Sequence, residues 1–132
     1  MTEEYDWDVI YSYSRGEAIE DGVLIDVSAV RPDLVKEAGI KIPVAVSEAA
    51  WKQYVEVLAG VDGQDVDGRL WDILQMFVHV ARGARDSDTV YFSVHVRNDN
   101  REGMPPLVKL KAIIGPGDEG EAVLTIMRPE ED

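Results

Sequence analysis

The chain has 132 residues, no cysteine and a net charge of −13 at pH 7. Its length suits one domain with a sizeable core, and the lack of cysteine excludes disulfide scaffolds, thiolate nucleophiles and zinc-thiolate sites. A negative field repels phosphate backbones and anionic lipid, so we expect neither nucleic-acid nor membrane binding. The acidic start of the sequence is unlike a signal peptide, and no apolar run approaches the roughly 20 residues of a membrane span. We therefore expect a cytoplasmic protein.

Capping and turn signals predict short elements in the first half of the sequence. Ser14 and Glu17 have the spacing of a capping box. Pro32 suits a first helical position, Gly39 suits a helix end, and Ser47 suits the N-cap of a further helix. The predicted order is a helix at 15–20, a strand at 23–27, a helix from 32 to 39, an extended segment at 42–46 and a helix at 48–57.

The strongest helical pattern lies between residues 68 and 82. Leu70, Ile73, Leu74 and Phe77 recur at three- and four-residue spacing, so one apolar stripe should face the core. Asp67 is the predicted N-cap, because its side chain can accept a hydrogen bond from a free amide of the first turn.

Apolar and polar residues alternate in three later runs, at 90–97, 107–114 and 123–127. A period of two, interrupted by turn-rich segments, predicts a C-terminal three-stranded antiparallel meander that packs on the long helix. With the short N-terminal helices and one or two extra strands, the predicted fold class is α+β. The tail at 129–132 is expected to fray.

The polar face of this meander is a candidate small-anion site. Alternate residues on neighbouring strands share one side of a sheet and lie close enough to act together. Arg97, Lys109 and Lys111 would hold the anion, and His95 or Tyr91 would move a proton if the site were catalytic. A sheet face of this kind is more often simply solvated, with its bases paired to nearby acids.

No motif predicts a metal, a cofactor or a catalytic centre. Neither His79 nor His95 has the spacing of metal ligands, and nothing sets a nucleophile beside them. The aspartates between 62 and 67 do not fit a calcium-binding loop, because Arg69 stands where a fifth-position oxygen ligand is needed. The glycine-rich segment 115–121 carries three acids and no lysine, which favours a turn over a phosphate cradle. We therefore expect no metal, no cofactor and no enzymatic activity.

Most of the negative charge lies in the first part of the sequence. Residues 1–72 hold 16 acids and 6 bases, whereas residues 73–132 hold 10 acids and 7 bases. A field of this sign steers a protein toward basic surfaces, although solubility alone would also explain it. The candidate partner-binding residues are the acids nearest the N-terminus, namely Glu3, Glu4, Asp6, Asp8, Glu17, Glu20 and Asp21.

Several segments of the sequence have distinctive residue patterns but no obvious chemical role. They include Glu20-Asp21-Gly22, Gly63-Gln64-Asp65, Arg97-Asn98-Asp99-Asn100 and Gly115-Pro116-Gly117-Asp118. Over about residues 5–132 the chain resembles a bacterial domain of unknown function, number 6573. The resemblance carries no activity or site residue, and it implies a protein found on plasmids, phages and integrative elements.

Charge and resemblance together favour a protein-binding module. It would be an inhibitor of a host defence nuclease or a CRISPR effector, of the anti-restriction or anti-CRISPR type, and would occupy a basic channel built for nucleic acid. A small-anion-binding protein or small enzyme that uses the polar sheet face is one alternative. A structural or self-associating accessory domain is another.

Overall fold

A computed structural model of the chain describes residues 13–84 and 87–131. The chain order is helix α1 (Arg15–Glu20), strand β1 (Leu24–Asp26), helices α2 (Val27–Val30) and α3 (Pro32–Glu37), strand β2 (Val44–Ser47), helix α4 (Glu48–Ala50), a π-helical turn (Trp51–Val55), helix α5 (Val66–Ala81) and strands β3 (Thr89–His95), β4 (Leu107–Pro116) and β5 (Ala122–Met127). This is the α+β class that the sequence predicts. None of the helices within these two ranges is long and apolar enough to cross a membrane.

The strands form one mixed sheet in the order β1-β2-β5-β4-β3. β3, β4 and β5 are antiparallel neighbours, as the alternating runs predict. β2 pairs with β5 in parallel, and β1 pairs with β2 antiparallel. The predicted meander is therefore matched in part, since its last strand also continues the sheet toward β2. Alternation reports which face a residue occupies but not the direction of a neighbouring strand, so the parallel pair was not predictable from it.

The main core lies between α5 and one face of the sheet. Leu70, Ile73 and Leu74 on the predicted stripe of α5 are at most 1% exposed, and the burial of each such side chain contributes about 1.5–3 kcal/mol. Phe77 meets Phe92 of β3 edge to face, with ring centroids 6.0 Å apart, which is a favoured aromatic geometry.

α5 begins two residues earlier than the sequence predicts. Asp65, rather than Asp67, is the N-cap, and its Oδ1 accepts a hydrogen bond from the Gly68 amide at 2.5 Å. The extended backbone of Asp65 (φ −142°, ψ 158°) is the conformation that an N-cap requires. Asp67 lies in the first turn, where the helix dipole favours an acid, and it accepts from Arg31 Nε at 2.6 Å.

The predicted helix at 48–57 divides into two parts. Ser47 is its N-cap as predicted, since its Oγ accepts from the Ala50 amide at 3.2 Å. The single α-helical turn then widens into the π-helical turn, which closes with a bond from the Glu56 amide to the Trp51 carbonyl at 2.8 Å. Glu56 is already extended, so the helix ends two residues before the predicted boundary.

The C-terminal segment does not fray. It lies against the face of the sheet opposite α5, which we call the second face. The Glu131 carboxylate accepts from Ser47 Oγ at 2.7 Å and from the Arg128 amide at 2.8 Å. The backbone carbonyl oxygen of Glu131 accepts a hydrogen bond from Lys111 Nζ. Ser47 and Lys111 are buried, and these bonds satisfy polar groups that would otherwise be costly to bury. The prediction of a frayed tail is therefore wrong for residues 129–131.

Candidate functional site

Six exposed carboxylates gather where α1 meets the loop between β4 and β5. We call this cluster the acidic end, and its members are Glu17, Glu20, Asp21, Asp118, Glu119 and Glu121. Asp118 joins the helix to the loop, because its two carboxylate oxygens accept from the amides of Arg15 at 2.8 Å and Gly16 at 2.9 Å. The first amides of a helix have no acceptor within the helix. The loop therefore caps α1 across more than a hundred residues of sequence.

α1 itself is held by the predicted capping box. Ser14 Oγ accepts from the Glu17 amide at 3.0 Å, and Glu17 Oε1 accepts from the Ser14 amide at 3.3 Å. Ala18 is buried against the sheet, so the remaining face of this six-residue helix points its acids outward.

The single base of α1, Arg15, turns toward the sheet rather than toward the surface. Its Nη1 donates to Thr125 Oγ1 at 2.7 Å and its Nη2 donates to the Leu124 carbonyl at 3.0 Å. Burial lowers the pKa of the Arg15 guanidinium, against the opposing attraction of Asp26, Asp118 and Glu121. This cation therefore anchors the helix and forms no direct ion pair with the acidic end.

Ion pairs among the described residues form elsewhere on the molecule. They are Arg31–Asp67, Lys52–Glu48, Arg101–Asp99 and Arg128–Glu130. Amide and hydroxyl donors hold Glu17, Asp21, Asp118 and Glu121 in place. Such hydrogen bonds fix a carboxylate without cancelling its charge, so the acidic end keeps its negative field.

Tyr13 lies beside the acidic end, just before the N-cap of α1. Its hydroxyl donates to Asp21 Oδ2 at 2.5 Å. This hydrogen bond raises the pKa of Tyr13 to about 12, with a smaller contribution from the charges of Asp21 and Glu17. The phenol remains 54% exposed and leaves an aromatic ring beside the carboxylates.

A cavity of about 600 Å³ lies between α1 and the second face of the sheet. Its apolar lining includes Leu24, Ile113 and Val123, and Tyr13 and Asp118 also border it. The polar groups of Ser14, Arg15 and Thr125 also line it. Its apolar residues suit the apolar stem of a partner side chain, and Asp118 suits a cationic tip that stays clear of the Arg15 guanidinium.

The predicted partner-binding acids are brought together in part. Glu17, Glu20 and Asp21 lie side by side on α1 and its C-terminal cap, whereas Glu3, Glu4, Asp6 and Asp8 lie outside the described residues. The loop acids were not predicted as part of the cluster, because no local signal in the sequence links residue 118 to residue 15.

The candidate small-anion residues share a face only in part. Tyr91 pairs with Lys111 and Ser93 with Lys109 across β3 and β4, so these side chains lie on the second face of the sheet. Lys109 Nζ lies 5.8 Å from the centroid of the Tyr91 ring, in a cation–π contact. His95 lies at the end of the same face, with Nδ1 2.8 Å from the Pro105 carbonyl oxygen.

Two of the three predicted anion-binding cations are engaged by the protein itself. Lys111 is buried and donates to the Glu131 carbonyl. Arg97 donates to the carbonyl oxygens of Arg101 and Gly103 and so folds its own loop. Of the three, Lys109 alone presents its ammonium group on the exposed face, which is a weak basis for anion binding.

Of the three aspartates between 62 and 67, two have structural roles for their carboxylates, and Asp62 contributes its backbone amide. The Asp62 amide donates to Asn100 Oδ1 at 2.8 Å, Asp65 caps α5, and Asp67 pairs with Arg31. Within residues 13–84 and 87–131, no group of three or more His, Cys, Asp or Glu side chains is arranged to hold a metal ion.

Arg69 is a buried cation whose structural role was not predicted from the sequence. It is 5% exposed. Its Nη1 donates to the Glu56 carbonyl at 2.8 Å, its Nε to Gln64 Oε1 at 3.2 Å, and its Nη2 to the Arg97 carbonyl. Arg69 therefore ties α5 to the loop that precedes it and to the segment that follows β3.

The fold and its surface define a small α+β protein with an exposed cluster of negative charge at one end. The chain belongs to the family of unknown function DUF6573, whose model matches residues 4–132. This confirms the family that the sequence resembles, and the family brings no assigned activity. No curated protein and no solved structure matches the chain.

Proposed function

We propose that this protein is a protein-binding module that docks its acidic end on a basic surface of another protein. The observation that carries the proposal is the set of six exposed carboxylates, none of which takes part in an ion pair among the described residues. Attraction between opposite surfaces accelerates association and weakens as salt screens it.

Charge alone would give a fast but weak complex. Exposed ion pairs contribute about 0.2–1 kcal/mol each, and tight interfaces gain most of their free energy from a few side chains in desolvated pockets. The cavity beside α1 offers such a pocket next to the carboxylates. We therefore expect a lysine or arginine of the partner to enter it, with its stem against Leu24, Ile113 and Val123.

The partner class that we propose is a nuclease or CRISPR effector of the bacterial host. Such proteins hold nucleic acid in channels lined by Arg and Lys, and carboxylates fixed on a rigid surface can occupy the positions of phosphates. In this proposal the protein travels on a mobile element, as the sequence resemblance implies, and acts by occlusion rather than by catalysis.

The small-anion alternative has less support. It depends on Arg97, Lys109 and Lys111 acting together, and two of these cations donate to backbone carbonyls of the protein itself. A ligand would have to displace those bonds before it gained any of its own.

Two variants of equal charge test the proposal. The acidic-end variant carries Glu17→Gln, Glu20→Gln and Glu119→Gln; a glutamine at position 17 keeps the capping box. The control variant carries Glu37→Gln, Glu56→Gln and Glu102→Gln, at exposed positions outside the acidic end. Each variant removes three negative charges, so net charge is matched and only its location differs.

The wild-type protein and both variants are immobilised and exposed to a bacterial lysate at low and high salt. The captured protein is then purified, and its affinity for each variant and its nuclease activity are measured. We expect the acidic-end variant to bind at least tenfold more weakly and to lose inhibition, while the control variant stays within about twofold of wild type. Equal affinity of all three proteins for the captured partner would refute the proposal.

A further inference from the structure

β3 is an edge strand, and half of its backbone groups point away from the sheet. The Ile114 amide donates to the Asp88 carbonyl at 2.8 Å, and the Val96 amide donates to the Pro106 carbonyl at 3.1 Å. In an antiparallel pair, hydrogen-bonded residues alternate with non-bonded ones. The even-numbered residues of β3 therefore bond to β4, and the N–H and C=O groups of the odd-numbered residues face outward.

Among residues 13–84 and 87–131, side chains satisfy the outward groups at only one end of the strand. Ser87 Oγ donates to the Thr89 carbonyl at 2.6 Å and accepts from the Thr89 amide at 3.3 Å. In the part of the chain that the structure describes, the outward groups of Tyr91, Ser93 and His95 meet no further strand, because β3 ends the sheet order. Three consecutive outward positions are thus open for pairing.

The strand itself, as the described residues show it, lacks the usual protection against pairing. Natural edge strands are commonly blocked by lysine, proline, a bulge or a very short length. β3 has seven residues, and its sequence Thr-Val-Tyr-Phe-Ser-Val-His has no lysine, carboxylate or proline. Its register with β4 runs one residue to one residue from Thr89 to His95, so it has no bulge.

We propose that a second copy of this chain pairs with β3, antiparallel, about a twofold axis at Ser93. Ser93 then faces Ser93 of the second copy, and Tyr91 of each copy faces His95 of the other. This register uses all three open positions and gives six backbone hydrogen bonds, while leaving the Thr89–Ser87 bonds intact. The interface is closed and self-complementary, as most homodimers are, and it joins two five-stranded sheets into one.

The side chains beside this edge are complementary in the same register. Tyr91 is 53% exposed and Leu107 is 62% exposed, and both lie on the second face of the sheet with His95. The twofold axis places Tyr91 of one copy next to His95 and Leu107 of the other. Each copy thus covers the exposed apolar side chains of the other.

The distribution of charge permits self-association despite the net charge of −13. α1 packs beside β1, at the opposite edge of the sheet from β3. The loop acids follow Pro116 of β4, which lies seven residues along the strand from Lys109, the partner of Ser93. The two copies place these loops on opposite sides of the twofold axis, so at about 3.3 Å per residue the loops lie roughly 46 Å from each other. The Debye length at physiological salt is about 8 Å, so their repulsion is largely screened. A cationic partner would be drawn to the acidic end, whereas the uncharged edge suits an identical strand.

Sedimentation velocity over a range of concentrations tests this interface. We expect wild type to dimerise with a Kd of about micromolar order, typical of a small interface. Ser93→Pro removes both bonds donated at the twofold axis but no bond within the sheet, and should weaken the dimer about thirtyfold. Ser93→Ala keeps the amide and should stay within about twofold of wild type.

A second pair of variants decides the outcome if Ser93→Pro disturbs folding, which circular dichroism reports. Tyr91→Lys places a charge on the edge and should weaken the dimer at least tenfold. Val30→Lys adds the same charge at a similarly exposed site, 47% exposed, on α2 beside β1, and should leave the dimer intact. A wild-type protein that stays monomeric to several hundred micromolar would overturn the proposal. So would dimerisation of folded Ser93→Pro or Tyr91→Lys at the wild-type affinity.

Discussion

Replacement of Arg69 by methionine tests how the two loops at one end of α5 are held. Methionine has a similar length and fits a buried site, but it has no donors. The substitution removes the bonds to Glu56, Gln64 and Arg97 and leaves the two carbonyl acceptors without their charged partner. The side chain is 5% exposed, so water does not replace the guanidinium freely.

The expected loss follows from these three bonds. A buried acceptor that loses its donor costs about 1–3 kcal/mol, while relief of the buried charge offsets part of the loss. We expect the free energy of unfolding to fall by about 3 kcal/mol, which is a large share of the roughly 5–15 kcal/mol of an ordinary domain. For a chain of this size, that loss lowers Tm by about 10 °C.

Urea denaturation followed by tryptophan fluorescence, together with calorimetry, measures both quantities. Arg31→Met is the matched control, because the Arg31–Asp67 pair is exposed at both side chains (44% and 60%) and should contribute less than about 1 kcal/mol. A melting temperature of Arg69→Met within about 2 °C of wild type, or an equal loss of stability in the two variants, would contradict this role of Arg69.

Two further predictions concern single hydrogen bonds. Tyr13 should ionise with a pKa of about 12 instead of 10.0; its bond to Asp21 therefore stabilises the fold fully below pH 10 and is lost as pH rises through 12. Phenolate absorbance should show this late titration, and Asp21→Asn should abolish it; an unchanged titration in the variant would contradict the assignment. Asp65→Ala should lower the free energy of unfolding by about 1 kcal/mol because it removes the N-cap of α5. Asp67→Ala should cost less than that in the same urea titration, and the reverse order would restore Asp67 as the cap.

Local signals in the sequence predicted the elements whose hydrogen bonds are local. The capping box of Ser14 and Glu17 gave α1 its observed bounds, and the stripe through Leu70 and Phe77 gave the buried face of α5. Both depend on residues within a turn or two of each other, where spacing alone determines contact. Alternation likewise predicted the antiparallel strands of the last third.

Features that depend on distant residues were not predictable in this way. The choice of Asp65 over Asp67 as N-cap rests on a backbone conformation that both residues can adopt. The bonds from Asp118 to α1, from Arg69 to two loops and from Glu131 to Ser47 join positions far apart in sequence. Half of the acidic end was therefore predictable. Its α1 acids followed from the distribution of charge along the sequence, whereas the position of its loop acids beside α1 is known only from the folded structure.

The most direct test of the account is the association rate of the captured partner, measured against ionic strength for wild type, the acidic-end variant and the control variant. Electrostatic steering predicts that wild type and the control variant associate rapidly at low salt and slow steeply as salt increases. The acidic-end variant should associate at least tenfold more slowly at low salt and show a much flatter salt dependence. If both variants slow equally, net charge rather than the acidic end governs binding, and the proposed docking surface is wrong.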